Sequence, residues 1–527
     1  MPYVVTQSCC SDASCVYACP VNCIHPTPDE PDFLSAEMLY VDPKACVDCG
    51  ACASACPVDA IVSSKKLTRE QQPFIEINAN FFRQSRPRPL LARPVPAARI
   101  RTGRQPLRVA IVGSGPSAMY AADELLTQPN VAVTVLDRLP RPYGLARFGV
   151  APDHEKTRKV GTLFDVISAQ PGFGSYLNVE VGRDISHGEL LDSFHAVIYA
   201  VGASTDRKLG IAGESMPGTV SATDFVAWYN GHPDHAADEF DLSQPQALIV
   251  GNGNVALDVA RILTVDPAVL AATDIAPHAL KALRESKIEE VVLLGRRGAA
   301  ESAFTVPEFV GLLGAEVDIV VDGEIPDDDS GLSYQVAQKL ELLRSTRTRP
   351  VGGRKRIVLR YLTSPLEIRG TDRVTGVQVG RNELAADAEG VPRAVPTGAT
   401  EVLETGLVLT SVGYRGVALP GLPFDEKAGV IPNSGGGVLT EAGGEVLPGV
   451  YVTGWIKRGP TGFIGTNKSC AQETVRRLAE DYNAGRLSEP GGDAADFDRL
   501  IRSRRPAAVA GGAAVKPGRL RRLLAKS

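Results

Sequence analysis

"LRVAIVGSGPSAMYAADELL" (107–126) is the stretch on which the fold turns. It opens with a short apolar, β-branched run, the pattern of a strand buried on both faces. Gly113 and Gly115 follow, and then a run rich in Ala, Met, Tyr and Leu that reads as a helix. Strand, glycine turn and helix in that order aim the free N–H groups of a helix start at one point, where a pyrophosphate can sit. Gly113, Gly115 and Ala118 stand at the G-x-G-x-x-A spacing, with Ser117 inside it. The spacing alone is weak. It gains weight from Asp137, which closes the next apolar run, "VAVTVLDR" (131–138), where an acid can hydrogen-bond a ribose.

The same design recurs in "QALIVGNGNVALDVARIL" (246–263), whose turn carries Asn252, Gly253, Asn254 and Val255. The strand after it, "EEVVLLGRR" (289–297), ends in Arg296 and Arg297 rather than in an acid. Two guanidiniums suit a 2′-phosphate, which they can grip bidentately, so the second unit is expected to take NADP(H) rather than NAD. Two such units, with "HAVIYAVG" (195–202) as a further buried strand, predict two α/β Rossmann-like nucleotide-binding domains.

The remainder bounds the answer. The chain has 527 residues and a formal net charge of −5, with 44% hydrophobic and 22% charged residues, the composition of a globular multidomain protein. That balance gives no reason to expect nucleic-acid binding. No run reaches the roughly 18 apolar residues of a membrane span, and the start "MPYVVTQSCC" has no secretory pattern. A cytoplasmic location is expected.

Nine of the ten cysteines fall within the first 56 residues. A disulfide framework suits small secreted domains, so clustered thiols here point to metal. "CVDCGACASACP" (46–57) spaces Cys46, Cys49, Cys52 and Cys56 as in the iron–sulfur run of bacterial ferredoxins, in which the fourth cysteine serves the other cluster. The partner half is altered: Cys15-x3-Cys19-Pro20 has the right spacing, but the thiol expected three residues before Cys15 is Asp12, with Cys9 and Cys10 further out. One [4Fe–4S] cluster is expected on Cys19, Cys46, Cys49 and Cys52. Cys9, Cys15 and Cys56 would hold a second, either [3Fe–4S] or a four-iron cluster completed by Cys10, Asp12 or solvent. Cys23 reads as a spare buried thiol. A structural zinc site is the alternative, but it does not need this interleaved doubling.

This N-terminal part resembles seven-iron bacterial ferredoxins, and implies an α+β ferredoxin-like domain. "PYGLARFGVAPDHEKTRKV" (142–160) and "GWIKRGPTGFIGTNKSCAQET" (454–474) resemble adrenodoxin reductase and the bacterial ferredoxin–NADP reductases related to it. That resemblance, over roughly 107–480, implies FAD with Asp137 on the adenosine ribose. It implies wall contacts from Leu145 and Val181, and Trp455 with Gly462, Phe463 and Ile464 at the isoalloxazine. Backbone N–H groups of a helix starting after Gly462 would face the reduced flavin. His154 is implied near the flavin; a structural histidine bonded beside Asp153 is the other reading. Glu308, in "AFTVPE", is implied on the nicotinamide side with Gly462. Gly311 stands where the family often has a second acid, which weakens any pairing of His154 with an acid there.

The domains expected are a ferredoxin domain over 1–84, a Pro/Arg-rich semi-extended linker over 85–106, and a first FAD segment over 107–204. An NADP domain over 205–405, a second FAD segment over 406–484 and a peripheral tail over 485–527 follow. Together these parts imply a ferredoxin–NADP reductase fused to its own ferredoxin, exchanging electrons with one-electron partners such as ferredoxin-dependent enzymes or cytochromes. The linker would let the ferredoxin swing to an outside acceptor. A disulfide reductase would need a redox cysteine pair, and no cysteine lies between Cys56 and Cys470. An electron-transfer adaptor subunit and a sensor that binds NADP without turnover are the other readings.

Overall fold

The computed structural model describes residues 2–83, 91–93, 95–101, 106–347, 352–353 and 355–511. Leu107–Val112 lies at the centre of an eight-stranded sheet. Its parallel neighbours are Val131–Asp137 on one side and Ala196–Tyr199 on the other, followed outward by Phe173–Leu177 and Val446–Val452. The strand is almost wholly buried because helices cover both faces, which is why its sequence is apolar rather than alternating. Gly113 then turns with φ +100°, and a side chain there would press on the Ala200 carbonyl. Pro116 opens the helix Pro116–Leu126 at a position that tolerates its missing N–H.

The second glycine turn belongs to a six-stranded, all-parallel sheet. Its order is Thr219–Ser221, Leu407–Thr410, Gln246–Val250, Glu290–Leu294, Arg356–Arg360, Asp318–Asp322. Gly251 has φ +126°, and a Cβ there would collide with the Ser411 carbonyl. Leu407–Thr410 corrects the expected return to the FAD part at 406: this apolar strand is an inner member of the second sheet. The chain crosses between the sheets at Thr205–Asp206 and Tyr414–Arg415, which pair antiparallel as a two-stranded ribbon. A three-stranded antiparallel sheet, Thr363–Gly370, Val374–Ala386 and Pro392–Glu404, lies beyond the second sheet.

The tail is less peripheral than expected. Ala494–Arg504 is a helix with an Asp493–Asp496 capping box, and it buries Phe497 and Ile501. Phe497 meets Phe194 edge-on at 4.8 Å. Val509–Gly511 then pairs antiparallel with Phe173–Leu177 and covers that edge of the sheet. Residues 512–527 lie outside the described residues.

The N-terminal module is a doubled unit. Tyr3–Val5 pairs with Ile61–Ser63, and Ile24–His25 with Tyr40–Val41, both antiparallel. Pro73–Phe81 forms a helix, which buries Phe74, Ile77 and Phe81. Left-handed residues recur at a constant offset: Ser11 and Asp48, Ala13 and Gly50, Asn22 and Asp59. The short helices Ser14–Ala18 and Ala51–Ala55 follow, each ending on an extended cysteine, Cys19 and Cys56. On this register Cys9, Asp12, Cys15 and Cys19 match Cys46, Cys49, Cys52 and Cys56, so Asp12 stands in backbone terms where the other half has a thiol.

Candidate electron-transfer site

Cys19, Cys46, Cys49 and Cys52 line one small pocket together with Tyr3. Cys49 is exposed on its rim. Cys23 is not apart from this site: it lines the same pocket, with its Sγ 3.4 Å from that of Cys19. Burial pushes the Cys52 thiol up to about 11, and the neighbouring Cys46 adds to the shift.

Cys9, Cys15 and Cys56 form the second group. Burial pushes Cys9 up to about 11, with the charges of Cys56 and Asp12 adding. Cys15 is raised well above the ordinary thiol range, by burial and then by Cys9, Asp12 and Cys56. Cys10 is also buried and raised, with Asp12 its strongest charged neighbour. The Asp12 carboxylate, held by the backbone N–H and hydroxyl of Ser14, thus stands among all four thiols. The buried Tyr120 hydroxyl, on the helix after the first glycine turn, lies near Cys10 and Asp12 and has no hydrogen-bond partner among the described residues.

This second group faces the nucleotide domains. The Gly465 N–H donates to the Cys10 carbonyl at 2.7 Å, and a Cβ on Gly465 would collide with the Asp12 backbone. Cys10, Val58 and Ala60 join the apolar core around the first glycine turn, while Val306 and Val310 of the other nucleotide half complete the core of the thiol module. Polar contacts reinforce both seams. Lys159 Nζ pairs with Asp59 at 2.6 Å, Lys468 Nζ donates to Ser14 Oγ at 3.3 Å, Glu37 Oε2 accepts from the Val306 N–H at 2.7 Å, and the Tyr334 hydroxyl donates to the Ile77 carbonyl at 2.8 Å. Of the linker, residues 84–90, 94 and 102–105 lie outside the described residues. The remainder is pinned: Ile100 is buried, and Asn483 bonds the backbone of Arg99 and Arg101. In this structure the module is docked across both nucleotide domains.

Around the first turn, Asp137 accepts from the Ser114 N–H at 2.8 Å and from its hydroxyl at 2.5 Å, and its other oxygen accepts from the Leu139 N–H. Gly115 has open space where a Cβ would stand. Ser117 Oγ donates to Thr453 Oγ1 at 3.0 Å, and Ala118 is fully buried. Leu145 starts the helix Leu145–Phe148, and Val181 packs beside the outer face of the sheet. Trp455 Nε1 donates to the Thr461 carbonyl at 3.0 Å. The helix after Gly462 starts at Thr466, and Gly465, Phe463 and Ile464 form the turn that caps it. The Gly465 N–H donates to the Cys10 carbonyl.

At the second turn Gly253 caps the helix Asn254–Thr264 and Val255 packs on the core. Asn252 and Asn254 accept from the N–H groups of Ala303 and Thr305. Asn382 fixes Arg296 through its carbonyl, while the guanidinium of Arg296 is exposed; neither it nor Arg297 pairs with a carboxylate among the described residues.

Sequence reasoning missed the buried ionic cluster between the two nucleotide halves. Arg261 binds Asp153 at 2.7 Å, Asp258 at 2.8 Å and Glu308 at 3.2 Å. His154 Nε2 lies 3.4 Å from Glu308 and 3.7 Å from Asp258. Asp153 pairs with Arg261, while His154, the residue after it, faces Glu308 and Asp258. Burial, then the neighbouring Glu308, pushes Asp258 up to about 7. Glu308 is also buried, but His154 and Arg261 hold it below the usual carboxylate range. The guanidinium already supplies the positive charge among these ligand-like groups, so a metal ion is not required there. The signal in the sequence was "LDVAR": Asp258 and Arg261 share one face of a helix that is otherwise apolar.

A thiol module seated on two glycine-turn domains, with cationic side chains at the second, defines a pyridine-nucleotide oxidoreductase with an iron–sulfur module. The model of the 4Fe-4S binding domain matches residues 39–62. A probable ferredoxin/ferredoxin–NADP reductase of Mycobacterium tuberculosis is 52% identical, over 97% of this chain and 89% of the relative. The mitochondrial NADPH:adrenodoxin oxidoreductase of Arabidopsis thaliana is 41% identical over 72% of this chain and 83% of its own length. The solved structure of M. tuberculosis FprA in complex with NADPH is 45% identical with a TM-score of 0.72, covering 77% of this chain and 92% of that one. The chain belongs to the ferredoxin/ferredoxin–NADP reductase family and is an oxidoreductase. No described helix is long and apolar enough to cross a membrane.

Proposed function

We propose that the chain exchanges electrons between NADP(H) and one-electron partner proteins such as ferredoxin-dependent enzymes or cytochromes, using FAD and two iron–sulfur clusters in its own docked module. The observation that carries this is the seat of the altered thiol loop, Cys9–Asp12, against Gly465, directly after the segment Gly462–Ile464. A bound flavin supplies the conversion between a two-electron hydride and single electrons. The residues present fit these groups. Gly115 leaves room for a pyrophosphate, Asp137 keeps lone pairs for a ribose, five thiols (Cys23 among them) line one pocket, and Tyr120 offers an unused buried donor beside the second thiol group.

In this reading Cys19, Cys46, Cys49 and Cys52 hold a [4Fe–4S] cluster, and the exposed Cys49 face receives the partner protein. Cys9, Cys15 and Cys56 hold a [3Fe–4S] cluster, with Asp12 in place of the thiol that a fourth iron would need, since Asp12 stands at the repeat position of Cys49. Leu145, Val181, Trp455 and Phe463 border the flavin, and Arg296 and Arg297 take the 2′-phosphate. The domains run 1–84 for the iron–sulfur module, then 107–204 and from 411 onward for the FAD part, with the NADP part extended from 405 to 410. Asp258, packed against His154, Glu308 and Arg261, holds a proton near neutral pH at the junction of the nucleotide halves. Because Asp258 sits near 7, the cluster gains that proton as pH falls through neutrality and loses it above.

Low-temperature EPR of the Asp12→Cys chain tests the assignment of the second cluster. A thiol at 12 is expected to give two four-iron clusters, both silent when oxidised, with a second reducible cluster signal after dithionite. An unchanged spectrum in both states would overturn that role for Asp12.

A further inference from the structure

One polar side chain of the thiol module, Gln7, reaches the buried ionic cluster itself. Gln7 Nε2 donates to Glu308 Oε1 at 3.4 Å, the same carboxylate oxygen that faces Arg261 and His154. One helical turn beyond Glu308, a Cβ on Gly311 would collide with the Gln7 amide, so this helix has left the space that the amide fills. The other groups facing Glu308 come from the nucleotide halves: His154 from the loop before Glu155–Arg158, and Asp258 and Arg261 from Asn254–Thr264. Asp153 completes the ring around Arg261, and Tyr229 and Tyr414 stand near Asp258.

We propose that Gln7, contributed by the fused iron–sulfur module, is a positioning residue of the reductase's own nicotinamide-side cluster, holding Glu308 against His154; this rests on the reading of that cluster given above. A reductase without the module lacks this donor, so the fusion alters the hydride half as well as supplying a carrier. A hydrogen bond to a carboxylate favours its charged form, and its loss makes the cluster keep its proton to higher pH.

The test is anaerobic stopped-flow of flavin bleaching by NADPH across the neutral pH range, on the full chain with its clusters checked by absorbance. Gln7→Ala is expected to move the inflection upward by about half a pH unit. Gln7→Glu, which sets a like charge beside Glu308, is expected to move it further. Lys159→Ala, which removes a contact of the module's other seam, is expected to leave the inflection in place. An unmoved inflection in Gln7→Ala, while Glu308→Gln abolishes it, overturns the inference and leaves the reading of the cluster standing. An equal shift in Lys159→Ala also overturns it, by reducing Gln7 to a docking contact. An inflection that survives Glu308→Gln removes the reading and the inference with it.

Discussion

Replacing both Arg296 and Arg297 with alanine is expected to lower kcat/KM for NADPH about 10²-fold, on the basis that hydrogen bonds to charged groups contribute roughly 1.5–3 kcal/mol each and exposure reduces the larger value. The effect on NADH is expected to be small, because NADH has no 2′-phosphate for these side chains to hold. The two residues follow the strand Glu290–Leu294, beside the strand that leads into the second glycine turn, and no described carboxylate competes for them. Steady-state rates with a small artificial acceptor report the nucleotide step alone. Equal losses with NADPH and NADH would mean that the substitutions damaged the fold or the nicotinamide end rather than phosphate recognition.

Gly465→Ala is expected to separate two activities that the intact chain performs together. The added methyl has no room against the Asp12 backbone, so the loop Cys10–Asp12 must lift from the start of Thr466–Asn483. The backbone at Gly465 is right-handed (φ −75°), so alanine itself is tolerated once the module has moved. NADPH reduction of a small dye is expected to remain within about threefold, since the nucleotide clefts are untouched, while cytochrome reduction falls roughly tenfold or more with the loss of a fixed intramolecular neighbour. Deleting residues 1–106 should give the same pattern in stronger form. Parallel loss of both activities in both variants would show that the nucleotide domains need the module in order to fold.

The features legible in the sequence were those whose spacing is imposed by a small rigid partner. Thiols around a cluster and glycines around a pyrophosphate tolerate little variation, so "CVDCGACASACP" and "VAIVGSGPSA" declare themselves locally. The docking seams do not, because Gln7, Glu37 and Gly465 gain their meaning only from residues hundreds of positions away. Leu407–Thr410 was assigned to the wrong sheet because an apolar run says that a strand is buried, not which neighbours bury it. One short helix in the tail is legible, from the Asp493–Asp496 capping box and from Phe497 and Ile501 one turn apart, but its packing against Phe194 is not, because that contact joins distant parts of the chain. The ionic cluster was hidden for a different reason: Asp153, Asp258, Arg261 and Glu308 look like ordinary surface charges until the fold brings them together.

The ribbon formed by Thr205–Asp206 and Tyr414–Arg415 is a natural pivot, since both chain crossings between the large sheets pass through it. A pivot alone would leave the nucleotide cleft free to gape. The iron–sulfur module, bonded to Gly465 on one side and to Val306 on the other, is a strut across that joint. Rotation about the ribbon must therefore shear one of the two seams. The carrier thus braces the hinge beneath it, and loosening either seam should change how readily the dinucleotide enters and leaves by no more than the change of about threefold expected for dye reduction.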